Sequence, residues 1–230
     1  MTDRHYVGSG TVIHWDSSRC VHSERCVNVP NQIRVPRPTS RSELRVNPKV
    51  AQEVATAYLD AADRPSPMTV AAFSQLVMET DRLFRRITEP ARSKALRISF
   101  TRCENPYRDA HELIASVKDL RTLEITTVAA HHDRRHPLMS NDIGGDYDRF
   151  RAVHDALGHG RMQLGFDRDS EFAIWLTHER FHSPLARWAL GTELHGQHSV
   201  RWTTGEMADP KATLLEPALL RRARSKKAQS

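Results

Sequence analysis

Apolar positions along most of this chain recur every three or four residues, the spacing of helices with one buried face. KVAQEVATAYLDAA (49–62) is the first such run, and the proline-rich RPSP (64–67) breaks it. MTVAAFSQLVMETDRLFRRI (68–87) is the second, with Thr69 placed as a cap. Two short β-patterned runs follow, LRISF (96–100) and LEITTV (123–128), separated by a helical PYRDAHELIASV (106–117). Tyr147, Phe150, Val153 and Leu157 then mark a helix that Asp146 or Asp148 would cap and Gly158 would end. Ser170 would cap EFAIWLTHERFH (171–182), and Ser183-Pro184 opens LARWALGTEL (185–194). Near the amino end TVIHW (11–15) is strand-like, before a cysteine-bearing loop and the proline-rich NVPNQIRVPRPTS (28–40).

The predicted fold is therefore mainly α (α+β): a helical domain with a few short strands and a small N-terminal appendage. The expected organisation is a module over 1–66, a helical domain over 67–220 and a basic, disordered tail over 221–230. The 39% hydrophobic and 27% charged composition is that of a globular chain of 230 residues, with room for one good-sized domain. The net charge of +6 suggests nucleic acid until it is located. Arg221, Arg222, Arg224, Lys226 and Lys227 carry five of those six charges in the last ten residues, so nucleic acid is not the expected partner. No apolar run reaches the ~20 residues of a membrane span, and MTDRHYVGSG lacks the basic and apolar regions of a signal peptide. With three cysteines, an odd number, the expectation is a reducing, cytoplasmic setting.

Chemistry concentrates late in the chain. His154, Asp155, His159, Glu171, His178, His182, Glu193, His195 and His198 fall within 45 residues. Imidazole and carboxylate in that density suit iron(II) or zinc. On a continuous helix Glu171, Trp175, His178 and His182 would share a stripe about 60° wide. His178-Glu179-Arg180-Phe181-His182 also matches H-E-x-x-H, the zinc-peptidase helix. The third ligand of that motif has no well-spaced candidate, because Glu193 follows His182 by only eleven residues. His154-Asp155 similarly suggests a phosphohydrolase with His131 or His132 upstream, but no further downstream Asp is convincingly placed.

VHDALGHG (153–160) is similar to the H-[ED]-x-x-G-H iron segment of the pterin-dependent aromatic amino acid hydroxylases. Thr192-Glu193-Leu194-His195-Gly196, 34 residues beyond His159, resembles the segment around that family's iron glutamate. The resemblance covers about 45 of 230 residues and includes no pterin-binding segment. It implies His154, His159 and Glu193 as iron ligands, with positions left open for O₂ and substrate. The longer stretch from Phe150 to Ser199 also resembles a bacterial family of uncharacterised HDxxGH metalloproteins. There the positions of His154, Asp155, His159, Glu171, His178, Glu193 and Gln197 are held, and those of Glu179 and His182 are not. That pattern raises a two-iron variant, in which Asp155, His159, Glu171 and His178 hold a carboxylate-bridged pair. At the amino end WDSSRCVHSERCV (15–27) resembles the divergent single-cluster ferredoxins, matching at Cys20, His22 and Cys26. Arg64 stands where the closing cysteine belongs. Cys20 and Cys26 are the candidate cofactor-binding residues, but two thiolates do not hold an iron–sulfur cluster. Cys103 would add a third only if the fold brought it near.

The expected function is a non-haem iron(II)-dependent oxygenase, with one or two irons, acting on a small organic, aromatic-compatible substrate. Glu171 and His178 would be catalytic or further metal residues, and Phe172, Trp175 and Trp188 either core or pocket wall. An electron donor and a homodimer are compatible with this reading. A zinc hydrolase on the same side chains, with Glu171 or Glu179 as base, is the alternative. A metal-stabilised binding module without activity is the third.

Overall fold

The computed structural model describes residues 4–8, 11–15, 45–128, 136–139 and 142–224. Strands β1 (Arg4–Gly8) and β2 (Thr11–Trp15) pair antiparallel, which accords with the strand pattern of TVIHW. Cys20, His22 and Cys26 lie outside the described residues, as do His131 and His132. Helix α1 (Pro48–Asp60) follows, then α2 (Pro67–Thr88). Next come β3 (Arg97–Thr101), α3 (Ala110–Ala115) with a wider π-helical turn over Ser116–Leu120, and β4 (Thr122–Thr126). β3 and β4 form a two-stranded parallel sheet in register from Arg97 opposite Thr122 to Thr101 opposite Thr126, so α3 is the crossover such a pair needs. Helix α4 (Asp146–His154) runs into a second π-helical turn, Asp155–Gly160. α5 (Arg168–His178) ends in a 3₁₀ turn over Glu179–Phe181. α6 (Pro184–Leu190) continues through a third π-helical turn, Gly191–Gly196, into α7 (Gln197–Thr204), and α8 (Pro217–Arg224) follows.

Three helices start on the same device, a polar cap followed by proline: Asn47-Pro48, Ser66-Pro67 and Ser183-Pro184. Proline has no N–H to satisfy in the first turn, and the cap side chain accepts from the amides behind it. RPSP is thus a helix start as well as a breaker. Ser66, rather than the expected Thr69, accepts from the Thr69 amide at 3.1 Å. Likewise Asp167, rather than Ser170, caps α5 and accepts from the Ser170 amide and hydroxyl. At α4 neither Asp146 nor Asp148 is the cap, since Gly145 occupies that position. Asp148 is instead buried, and its carboxylate accepts from the Thr127 hydroxyl and the Val128 and Gly144 amides. Those bonds fasten the start of α4 to the end of β4.

The main core joins α1, α2, α4, α5, α6, α7 and α8 through side chains such as Val54, Tyr58, Phe73, Leu76, Phe150, Phe172, Trp175 and Leu190. α1 lies before the expected boundary at 66/67 and shares this core. It buries Val50, Val54, Ala55 and Tyr58 and packs on α7, α8 and the Gly191–Gly196 turn, the pairing an apolar stripe on one face needs. α8 extends to Arg224, with Leu220 and Ala223 in the core and Arg222 paired with Glu53. Among the described residues no helix is long and apolar enough to cross a membrane.

Close approach fixes where α7 meets α1. A Cβ added to Gly196 would lie 2.6 Å from the Tyr58 ring. That ring cannot yield easily, because its hydroxyl donates to the Asp209 carbonyl and accepts from the Lys211 amide. Gly196→Ala is therefore expected to lower stability by about 1–3 kcal/mol, read from the urea midpoint. An unchanged midpoint would refute the tight α1–α7 contact.

Candidate metal centre

His154 ends α4 and His159 lies five residues on. In a regular α-helix that spacing sets two side chains about 140° apart. The π-helical turn over Asp155–Gly160 changes the register, and the Arg161 amide reaches the Ala156 carbonyl. The two imidazoles meet edge to face at 5.0 Å between centroids. Glycine makes this turn's close packing feasible: a Cβ on Gly158 would lie 2.6 Å from Ile174 of α5, and one on Gly160 2.6 Å from Val117. With α5 drawn in, Glu171 on its first turn faces both histidines.

Glu171 is the centre of the arrangement. Its Oε1 lies 3.4 Å from His159 Nε2, and its Oε2 lies 3.2 Å from His154 Nε2 and 3.3 Å from His198 Nδ1. All four residues are less than a tenth exposed. Asp155, half-buried, has a carboxylate oxygen within 4.8 Å of ligand nitrogens of His154 and His159, and those nitrogens are equally close to each other. His178 stands beside His154 at 5.5 Å between rings. At the rim, Phe166 packs its ring edge to face with His159 at 4.7 Å, and Trp202 does the same with His198 at 5.5 Å. Phe166 is exposed and Trp202 half-buried.

Hydrogen bonding sets the imidazole facing Glu171. His159 Nδ1 is 3.1 Å from the Leu164 carbonyl, which can only accept, so Nδ1 carries the hydrogen. In the neutral ring, Nε2 then presents a lone pair to the Glu171 carboxylate. Two lone pairs at that distance repel unless a cation lies between them, whether a proton or a metal ion. A carbonyl on the far nitrogen is also how metal-binding histidines are oriented. Three further buried atoms have no hydrogen bond among the described residues: His154 Nδ1, His178 Nε2 and Glu171 Oε2. Unpaired buried polar atoms are costly, and a bound ion is one explanation for them. The donors are imidazole nitrogen and carboxylate oxygen with no thiolate, a set that fits iron(II) and does not exclude zinc.

The local electrostatics follow from burial and from this crowding. Burial raises the carboxyl pKa of Glu171, but His198, His154 and His159 outweigh it and hold the value well below the usual range. Burial, reinforced by neighbouring His154, His182 and His159, pushes His178 well below the ordinary imidazole range. His198 is lowered to about 4, first by burial and then by His154, Arg201 and His159, with Glu171 opposing. Burial raises Asp155 against the pull of His154, His159 and Arg151.

Glu193, implied as an iron ligand by resemblance, keeps different company. Its Oε1 accepts a short hydrogen bond from Gln197, its Oε2 lies 3.4 Å from His136 Nε2, and the Tyr147 hydroxyl bonds its carboxylate. None of its recorded contacts is with His154 or His159, and the carboxylate beside those two belongs to Glu171. The stacking below α5 explains the separation: Trp175 lies flat on His195 at 4.4 Å, and Phe172 packs on the same ring. Phe172 and Trp175 are thus core residues, while Trp188 donates its indole N–H to the Leu215 carbonyl. Phe166 and Trp202 are the site residues that sequence reasoning did not select, and His198 was noted in the cluster but given no ligand role. The five-residue interval from Glu193 to His198, the same as from His154 to His159, was the available signal.

The expected zinc-peptidase face is not formed. α5 ends at His178, a 3₁₀ turn follows, and His182 is extended with Ser183-Pro184 behind it. A residue ahead of proline is pushed out of helical geometry, which pulls the chain off the helix before His182. His182 Nδ1 lies 3.1 Å from Glu79, and Glu79 also accepts from Gln75 and the Ser183 amide. Cys103 is exposed. The chain matches no protein-family model, no curated protein and no solved structure.

Glu79 offers a pH test of this second anchor. Burial opposes its ionisation, yet the bonds from His182, Gln75 and Ser183 bring its pKa from near 4.5 to about 2. A carboxyl lowered in the folded state stabilises the protein above its unfolded value and ceases to do so as pH falls through the folded one. Glu79→Gln should therefore cost about 2 kcal/mol near pH 7. The difference from wild type should shrink between pH 4.5 and 2, by urea denaturation at each pH. A difference that stays constant over that window would contradict the charged network.

Proposed function

We propose that this protein is a non-haem iron(II)-dependent oxygenase whose metal centre is built on Glu171, His154 and His159. The observation that carries the reading is the Glu171 carboxylate, buried with both oxygens turned to imidazole nitrogens at 3.2–3.4 Å. Two ligands about 2.1 Å from one ion lie roughly that far apart when they occupy neighbouring positions around it. Two histidines and one carboxylate on one side of a site are the protein set that leaves positions open for O₂ and substrate. Iron(II) held there would supply O₂ activation.

The chain's own groups account for the rest of the site. The Leu164 carbonyl orients His159, and the π-helical turn sets His154 beside it. The rings of Phe166 and Trp202 flank the accessible side, which suits a small organic substrate with a flat apolar part. Asp155, half-buried at the same place, is the group able to hold or accept a proton near the substrate. Zinc on the same donors would make a hydrolase, which is the second reading; the chain leaves helical geometry between His178 and His182, so the H-E-x-x-H match does not add to it.

Anaerobic purification followed by elemental analysis tests the proposal. Iron at one or more per chain, with O₂ consumption by the reduced protein, is the expected result. Glu171→Gln and His159→Ala should each lower iron content at least tenfold while far-ultraviolet circular dichroism stays unchanged. Stoichiometric zinc with no iron under those conditions, or full iron in Glu171→Gln, would sink it.

A further inference from the structure

The two oxygens of Glu171 face different histidines. Oε1 is turned to His159 Nε2 at 3.4 Å, whereas Oε2 is turned to His154 Nε2 and His198 Nδ1 at 3.2 and 3.3 Å. A carboxylate whose two oxygens face different nitrogens can chelate one ion through both or bridge two ions, one at each oxygen. We infer that Glu171 bridges two metal ions, one held with His159 and Asp155 at Oε1 and the other with His154 and His198 at Oε2. The inference rests on the reading of this cluster as a metal centre; it divides His154 and His159 between two ions instead of one, and takes Asp155 and His198 as ligands.

The number of donors points the same way. His154, Asp155, His159, Glu171 and His198 on a single ion would leave at most one of six positions for both O₂ and substrate. Divided between two ions 3.5–4 Å apart, the usual separation in paired sites, the same donors leave each ion open. Each ion then has three protein donors, Glu171 serving both. Helical proteins build such pairs from carboxylates and histidines on facing helices, and here α4, α5 and α7 each supply part of the set.

Two unpaired buried atoms point to a ligand. Oε2 has no hydrogen bond among the described residues although it is buried within reach of two imidazoles, so those nitrogens approach it without the direction of a hydrogen bond. His178, only 2% exposed, has its Nε2 without a hydrogen-bond partner among the described residues, beside His154 at 5.5 Å. A nitrogen kept unpaired in that position is a reserve donor to the pair.

The test loads the chelator-stripped full chain with manganese(II) anaerobically. Bound metal is counted after gel filtration, and the electron paramagnetic resonance spectrum is recorded. Two ions per chain with a spin-coupled spectrum are expected. His198→Ala should drop the count from two to one and replace the coupled spectrum by that of an isolated ion. His198→Asn serves as the milder variant if the alanine chain fails to fold. One ion per chain in the wild type, with iron and O₂ consumption intact, would overturn the pair and leave the proposed function standing. No bound metal of either kind would overturn both. Two ions without coupling, or a count indifferent to both His198 variants, would overturn the bridge.

Discussion

A carboxylate with 7% of its surface exposed, set among three imidazoles, demands a cation. Water cannot solvate Glu171, and no arginine or lysine is recorded beside it. The positive charge has to come from protons on the histidines or from an ion held between the groups. The surroundings act on the histidines in both directions. The Leu164 carbonyl holds the His159 hydrogen on the far nitrogen, and burial pushes His178 and His198 toward their neutral forms. Burial opposes a charge on His159, but Glu171 and Asp155 outweigh it and raise that imidazole's pKa above its ordinary value.

The helices around Glu171 are shaped to bring those donors together. Two π-helical turns, Asp155–Gly160 and Gly191–Gly196, stand where α4 and the α6–α7 run pass the site. Each carries glycines that let a neighbour approach: Ile174 against Gly158, Val117 against Gly160, Leu220 against Gly191 and Tyr58 against Gly196. A regular helix would direct His154 and His159 to different sides and would keep α5 farther off. Local helical irregularity is thus what makes the centre compact, and the bonds of Asp148 to β4 and of Glu79 to His182 hold the flanking elements in place.

Much of this was legible in the sequence. The periodic runs located α1 to α6, and the β-patterned runs either side of PYRDAHELIASV located the parallel pair. His154, Asp155, His159, Glu171 and His178 were singled out and do converge. The misassignments have specific causes. Ser66, Asp167 and Gly145 hold the cap positions given to neighbouring residues, because a cap is chosen by backbone geometry one turn ahead of the apolar pattern. Glu193, attached to the histidine pair by resemblance over a 34-residue interval, has its contacts with Gln197, His136 and Tyr147. His136 and Tyr147 compete for its carboxylate from other elements. His182 was placed on the α5 face by counting 100° per residue through a segment that Pro184 unwinds.

The centre at Glu171 is tested most directly by crystals grown with iron(II) under anaerobic conditions and measured on both sides of the iron absorption edge. The account predicts an anomalous peak between the Glu171 carboxylate and the His154 and His159 imidazoles. A peak beside Glu193 and His136 instead, or no peak within reach of Glu171, would contradict it.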